Sequence, residues 1–341
     1  MDHDAFSSPQ TDLAPIALFV YNRYQLTLQT IQYLAQNEEA RDSLLYIFAD
    51  GPKPQATQEQ LARIEQVRTL IYDPSLHRKF KEVRIIASDI NKGLARSIIE
   101  GVSTVVQAHG RVIVLEDDLA VSPYFLKYMN EALHLYEHED RVLAIHGYVY
   151  PVDRLFADRH RIRRTYSVEL PQTTFFIREP GCLGWATWQR AWRLFDSDAR
   201  KLYQLIRKNG LSREFNFWGG YPYMRLLRMQ IAGKIDSWAI CWRAVAYLHH
   251  KLTLYPPVTL VSHEGNVPEA THSYSGEEDP YRTTVSQHPV EVKKIPVENH
   301  EGMERLFGAY LRRYSGMSIP SKIKKRLRRL FKMLYQHTGH Q

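Results

Sequence analysis

Residues 112–119 read VIVLEDDL, an apolar and largely β-branched run that stops at three consecutive carboxylates, Glu116, Asp117 and Asp118. The run has the composition of a strand buried on both faces. Three adjacent acids repel one another unless a cation offsets the charge. A hard divalent ion takes oxygen ligands, commonly one or two carboxylates with substrate phosphates. A solvated acidic turn is the other reading, and the triplet alone leaves both open. Outward from it the pattern repeats. IALFVY (16–21) ends at Asn22-Arg23, LLYIFA (44–49) at Asp50, and EVRIIAS (82–88) at Ser88-Asp89, and VLAIHGYVY (142–150) follows. Helical spacing fills the gaps at 25–36, 58–72, 93–109 and 122–139, the last with Ser122 as N-cap and Pro123 at its first position. Strands alternating with helices predict an α/β fold with a doubly wound, mostly parallel sheet. In such sheets ligands bind beyond the carboxyl ends of the strands, where these polar residues stand.

The 341 residues, 44% hydrophobic and 24% charged, describe a globular chain rather than a disordered or fibrous one. Two cysteines, Cys182 and Cys241, are too few for a disulfide framework or a thiolate metal site, and suit a reducing compartment. No apolar run reaches the ~18 residues of a membrane span. The polar segment 1–14 reads as a leader without the apolar core of a secretory signal. The net charge of +8 is misleading until it is located, because residues 322–332, KIKKRLRRLFK, carry seven basic residues and no acid. The body is near neutral, which disfavours a nucleic-acid enzyme. We divide the chain into the leader 1–14, a first half at 15–150, a second half at 151–275, a loop-rich segment at 276–320 and a basic tail at 321–341. Ile323, Leu327, Leu330, Phe331 and Leu334 form one helical stripe in the tail, suited either to an anionic membrane interface or to packing on the protein.

Other candidates lie off the triplet. Asn91-Lys92-Gly93 precedes a helix whose N-terminus could attract phosphate, and Lys92 could face phosphates or solvent. The spacing matches neither a dinucleotide fingerprint nor a P-loop. Asp236, in KIDSWAICW (234–242), is either a base at a helix start or its N-cap. GCLGWATWQRAW (181–192) offers Gly184 and Trp185 as a wall for a ligand's apolar face, with Trp238 another wall, while Trp188 and Trp192 read as packing. His263 and His272, after the late strand pair in LTLYPPVTLVSH (252–263), are either metal ligands or structural.

With FVYNR (19–23), FADG (48–51), NKGLARS (91–97), VLEDDLAVSPYFLKYM (114–129), GCLGWATWQRAW and KIDSWAICW in this order, the chain resembles nucleotide-sugar glycosyltransferases of the GT-A fold. It is similar to bacterial family-2-like transferases and the N-acetylglucosaminyltransferase I group, over roughly residues 14–275. The resemblance implies a GT-A (Rossmann-like) sheet. It implies Mn2+ or Mg2+ on Asp118, with His263 as a further ligand. Asp117 would meet ribose or sugar hydroxyls, with Glu116 beside the nucleotide. Asn22, Arg23, Asp50 and Lys92 would hold the donor. Asp236 would be the catalytic base, although the family's second acid is here Ser237.

The expected activity is inverting, metal-dependent transfer of a hexosyl or N-acetylhexosaminyl group. The donor is a nucleoside-diphosphate sugar, most simply a UDP sugar, and the acceptor a glycan or lipid-linked hydroxyl. The expected location is cytoplasmic, peripheral on the inner face of the membrane through 321–336. The rivals are a sugar-nucleotidyltransferase, which would need a glycine-rich phosphate loop after the first strand, and a non-catalytic scaffold, which the intact triplet disfavours.

Overall fold

The computed structural model describes residues 13–155, 168–265 and 279–314. In the first half, β1 (Ile16–Val20), α1 (Tyr24–Leu34), β2 (Leu44–Ala49), α2 (Gln58–Ile71), β3 (Glu82–Ala87), α3 (Leu94–His109), β4 (Arg111–Glu116), β5 (Leu119–Val121), α4 (Phe125–Leu135) and β6 (Val142–His146) follow one another. The second half supplies β7 (Phe175–Ile177), β8 (Trp185–Trp188), α5 (Ala199–Lys208), α6 (Tyr223–Ile231), α7 (Trp238–Leu248), β9 (Leu252–Tyr255), β10 (Val261–His263) and α8 (Glu301–Tyr314). The main sheet has the order β3-β2-β1-β4-β8-β6-β9-β7, and β5 pairs with β10 in a small second sheet. β3, β2, β1 and β4 are parallel neighbours. β8 runs against both β4 and β6, β9 is parallel to β6, and β7 closes the sheet antiparallel to β9. The sheet is therefore mostly parallel and flanked by helices, as the strand pattern predicts.

The local causes are those of the sequence. β1 and β6 are buried at every position, which is why β1 is an unbroken apolar run and β6 one up to His146. α2 opens on a capping box between Thr57 and Gln60. α3 opens at Gly93 and is stopped by Gly110, which takes the left-handed conformation (φ 77°) that ends a helix.

Several expectations are corrected. The fifth strand ends at His146 rather than at residue 150; past it the Gly147 N–H still bonds the Gly184 carbonyl, while the Gly147 carbonyl accepts the Leu260 N–H just before β10. Ser122 does not cap α4, which begins three residues later. Its hydroxyl instead donates to the Ser286 carbonyl and accepts from the Tyr124 N–H. The late strand pair separates at Pro256-Pro257, β9 joining the main sheet and β10 the small one. The segments on either side of residue 150, read as halves of one domain, share one sheet without any correction, since β8 inserts between β4 and β6. The C-terminal segment is not all loop. α8 buries Met303, Leu306, Phe307, Tyr310 and Leu311 in a second core with Phe175, Ile177 and Tyr255. The tail reading, His272 and nearly all of the leader lie outside the described residues.

Arg243 of α7 lies 1% exposed between the two cores. It pairs with Glu179, donates to the Phe215 carbonyl at 2.8 Å, and stands over the rings of Tyr223 and Phe217 at 3.8 and 4.2 Å. A buried charge persists only when paired and hydrogen-bonded, and here ring faces complete the enclosure.

Candidate active site

The carboxyl ends of β1, β2 and β4 meet on one rim. At its centre the triplet is already neutralised by the protein. The Arg23 guanidinium pairs with Asp117 and donates to Asp118 at 2.9 Å. Arg23 stands just before α1, so the β1–α1 turn delivers the cation that offsets the acids of β4. It was expected to hold the donor; it holds the carboxylates. Asp117, 2% exposed, also accepts from the Thr27 hydroxyl at 3.3 Å. These partners commit its carboxylate to the protein rather than to donor hydroxyls.

The three acids are shifted in different directions. Burial and then the charge of Asp118 push Glu116 up to about 8, Arg23 opposing. Burial outweighs Arg23 and raises Asp117. Burial also acts upward on Asp118, but bonds from His263 and Arg23 outweigh it and hold this carboxyl below its usual range. Asp118 is thus the member of the triplet whose anionic form its surroundings favour most.

His263 comes to Asp118 from the small sheet. β10 pairs with β5 so that His263 stands opposite Leu119, and the Glu264 N–H bonds the Asp118 carbonyl at 2.8 Å. The His263 Nε2 lies 3.6 Å from the Asp118 Oδ2. Its Nδ1–H donates to Asp279 at 2.8 Å. Burial lowers the imidazole's affinity for a proton, but the two carboxylates raise it to about 10.

Gly265 closes this corner. A Cβ there would run into the Asp118 Oδ2 and stand 2.8 Å from the His263 Nε2. Only a glycine leaves the space between the two groups open. Among the described residues no three His, Cys, Asp or Glu side chains converge on a protein-only metal site. Asp118 and His263 nevertheless fit one hard ion whose remaining ligands come from phosphate and water. Asp118 supplies an anionic oxygen and His263 a ring nitrogen, around a space that the glycine keeps clear.

Asp50 and Asp236 are used differently from the reading of the sequence. Asp50 accepts from the Lys92 N–H at 2.8 Å, the Gly93 N–H at 3.0 Å and the Asn91 side chain at 2.9 Å. It therefore organises the loop before α3, beside a cleft lined by Phe48, Ile86, Ser88 and Lys92. The Lys92 ammonium pairs with Glu100 at 2.8 Å. Asp236 does not cap its own helix. Ser237 does that for α7, and the Asp236 Oδ2 accepts the Ala95 N–H of α3 at 3.2 Å. Gly93 lacks a side chain to cap α3, and its missing Cβ leaves room for that carboxylate. Asn22 is half-buried on the same rim.

The tryptophan wall is corrected. Trp185 and Trp238, 1% and 3% exposed, stack on each other at 5.0 Å inside the core. β8 lies between two strands with both its faces covered, so Trp185 has no free face. Gly184 is buried too, at φ +63° and packed against Val261. Trp188 and Trp192 are packing residues, as expected. An aromatic ring beside the site comes instead from Tyr281, which is half-buried. Tyr281 meets His263 edge-on at 6.2 Å. Cys182 is drawn into the same surroundings, its thiol pushed up to about 12 by burial, then by Glu116 and Asp118.

Sequence reasoning missed Asp279 and Gly265. Asp279-Pro280 is a turn signal that could have marked the first, and Gly265 two residues after His263 the second.

The profile of glycosyl transferase family 2 matches residues 16–234. No curated protein matches the chain. Among solved structures, the chain is similar to the mannosyltransferase PcManGT from Pyrobaculum calidifontis in complex with GDP-Man and Mn2+. That match has 13% identity and a TM-score of 0.35, covering 71% of this chain and 74% of that one. It is similar to the galactosyltransferase LgtC in complex with donor and acceptor sugar analogs at 10% identity and a TM-score of 0.29, covering 53% of this chain and 60% of that one. A match to S. aureus TarS has 12% identity and a TM-score of 0.26, covering 37% of this chain and 20% of that one. The chain thus spans about a fifth of the length of TarS.

Proposed function

Since the chain belongs to glycosyl transferase family 2, we propose that it transfers a hexosyl or N-acetylhexosaminyl group, with inversion, from a nucleoside-diphosphate sugar. The donor is most simply a UDP sugar, and the acceptor a glycan or lipid-linked hydroxyl. The observation that carries this reading is the Asp118–His263 pair around the space that Gly265 leaves open, at the carboxyl end of the sheet.

Asp118 and His263 are the residues that would hold Mn2+ or Mg2+. Such an ion, when bound, supplies Lewis-acid stabilisation to the leaving diphosphate. The chain's own residues do the rest. Arg23 holds the Asp117 and Asp118 carboxylates in place. Asp50 fixes the 91–93 loop beside the cleft that would take the nucleoside. Asp236 would accept the proton of the acceptor hydroxyl at its carboxylate. The half-buried ring of Tyr281, edge-on to His263, would replace the tryptophans as the face for a sugar ring. Among the described residues no helix is long and apolar enough to cross a membrane. Peripheral attachment through 321–336 rests on the sequence pattern alone. Deleting 321–341 should abolish sedimentation with anionic vesicles, and unchanged sedimentation would remove that part of the reading.

The decisive experiment is a donor panel with and without Mn2+, run on the wild type and Asp118→Ala. The wild type should hydrolyse or transfer from a nucleotide sugar only with metal, and the variant should do neither while keeping its fold. Wild-type turnover in the variant at saturating donor would take Asp118 out of the site.

A further inference from the structure

We propose that Asp279 is a positioning residue for His263, fixing the ring so that Nε2 is the nitrogen offered to a divalent cation beside Asp118. The inference rests on the proposed metal-dependent function and adds a residue to it.

A cation binding His263 must displace the proton that the two carboxylates favour; the neutral imidazole then has one N–H and one lone pair, and only the bare nitrogen can bind a metal. Which nitrogen is bare depends on the bond the other makes, and a carboxylate accepting the far N–H settles the matter. Here the Asp279 Oδ2 accepts the Nδ1–H of His263 at 2.8 Å, and Nε2 faces Asp118. Asp279 is itself held. Its Oδ1 accepts the Tyr281 N–H at 2.8 Å, so both oxygens are assigned and the carboxylate cannot rotate away without losing a bond.

The segment carrying Asp279 is laced to β10 on both sides of the histidine. The Thr283 N–H bonds the Ser262 hydroxyl at 3.1 Å, and Arg282 pairs with Glu264 at 3.1 Å. The Tyr281 ring packs edge-on against the imidazole. The Tyr310 hydroxyl of α8 donates to the Pro280 carbonyl at 2.6 Å, which ties the turn to the second core. α8, far along the chain from every strand-end acid, thereby braces one ligand of the proposed cation site. Gly265 supplies the complementary half of the arrangement, since ring orientation would be useless if a side chain filled the space that Nε2 faces.

The test measures Mn2+ binding in the presence of UDP by electron paramagnetic resonance, and UDP binding without metal by calorimetry. The proteins are the wild type, Asp279→Ala, Asp279→Asn and His263→Ala, with circular dichroism as the fold control. Loss of such a partner typically weakens metal binding 10–100-fold. Asp279→Ala is expected to show that loss and to keep metal-free UDP affinity. Asp279→Asn retains one acceptor oxygen for the Tyr281 turn, and its NH2 facing Nδ1 would favour the opposite tautomer, so Mn2+ binding should fall there as well. Should Asp279→Ala fail to fold, Asp279→Asn decides the question. Wild-type Mn2+ affinity in a folded Asp279 variant overturns the proposal, as does an equal loss of metal-free UDP binding, which would make Asp279 merely structural. If the wild type itself holds no Mn2+ with UDP, the metal-dependent reading falls instead.

Discussion

Asp236 has two uses that a pair of substitutions can separate. In the structure its carboxylate caps α3, accepting the Ala95 N–H at 3.2 Å across 141 residues of sequence. Gly93 offers no side-chain cap of its own. Removing an acceptor of this kind costs about 1 kcal/mol, within a range of about 0.5–2. A carboxylate at the positive end of a helix adds about 0.3–1 kcal/mol. Asp236 is exposed, so solvent screens most of the second amount. Asp236→Ala should therefore lose about 1–2 kcal/mol of stability, read as a lower urea midpoint. Asp236→Asn keeps an acceptor oxygen and should lose less than about 1 kcal/mol. Catalysis follows a different scale. Loss of a general base lowers the rate about 10²–10⁴-fold, which is about 2.7–5.5 kcal/mol of barrier. If Asp236 is the base, both variants lose turnover to that extent at saturating donor, although only the alanine variant is clearly less stable. A folded Asp236→Asn protein with turnover within about fivefold of wild type would leave Asp236 as a long-range cap and nothing more.

Three further outcomes are expected. His146 is buried with its Nδ1–H on the Tyr148 carbonyl, and burial lowers its pKa to about 3. The unfolded chain takes up this proton from about pH 6.5 downward while the folded chain does not. The histidine's contribution is therefore intact above pH 6.5 and is lost toward pH 3, at about 1.4 kcal/mol per pH unit. Urea titrations from pH 7 to 4.5 should show that slope, and His146→Asn should flatten it. Arg243→Ala strands the buried Glu179 carboxylate and should destabilise the fold by about 3–5 kcal/mol; a loss below about 1 kcal/mol in urea unfolding would show that the pair is dispensable. Gly265→Ala places a methyl group against Asp118 and His263, and overpacking of this kind costs about 1–3 kcal/mol. It should weaken metal-dependent UDP binding by about tenfold or more, and unchanged isothermal titrations would show that the space is not used.

The first half of the fold was legible because buried parallel strands are unbroken apolar runs with polar punctuation. IALFV, LLYIFA and RVIVLE are each a strand with the bounds, or nearly the bounds, that the letters suggest. β5 was not legible, since three residues after an acidic triplet carry no period. β8 was hidden by its own composition, for WATW flanked by glycine reads as a lined pocket until its neighbours β4 and β6 are known. The acids of the site were visible as a cluster, but their counter-charge was not. Nothing in FVYNR says that Arg23 turns back to Asp117 and Asp118 rather than out to a ligand. Long-range partners such as Asp279 for His263, or Asp236 for Ala95, depend on loops crossing in space, and a single acid in a loop leaves no periodic trace.

A sheet of this kind has two general means of holding a diphosphate, the N–H groups at a helix start or a cation on strand-end carboxylates. The helix that follows β3 is the natural candidate for the first, and three N–H groups around its start are already used. Asp50 takes the N–H groups of Lys92 and Gly93, Asp236 takes that of Ala95, and Glu100 takes the Lys92 ammonium. Two carboxylates at the positive end of α3 also cancel the dipole that would draw an anion there. A phosphate arriving at that end would have to displace acids from good hydrogen bonds. At the end of β4 the balance is the reverse. Asp118 is held anionic, His263 stands 3.6 Å from it, and the backbone at Gly265 carries no side chain into the gap. Of the two means, this arrangement favours the strand-end carboxylate with a cation. That is why the dependence on a divalent ion and the identity of its protein ligands, Asp118 and His263, stand or fall together.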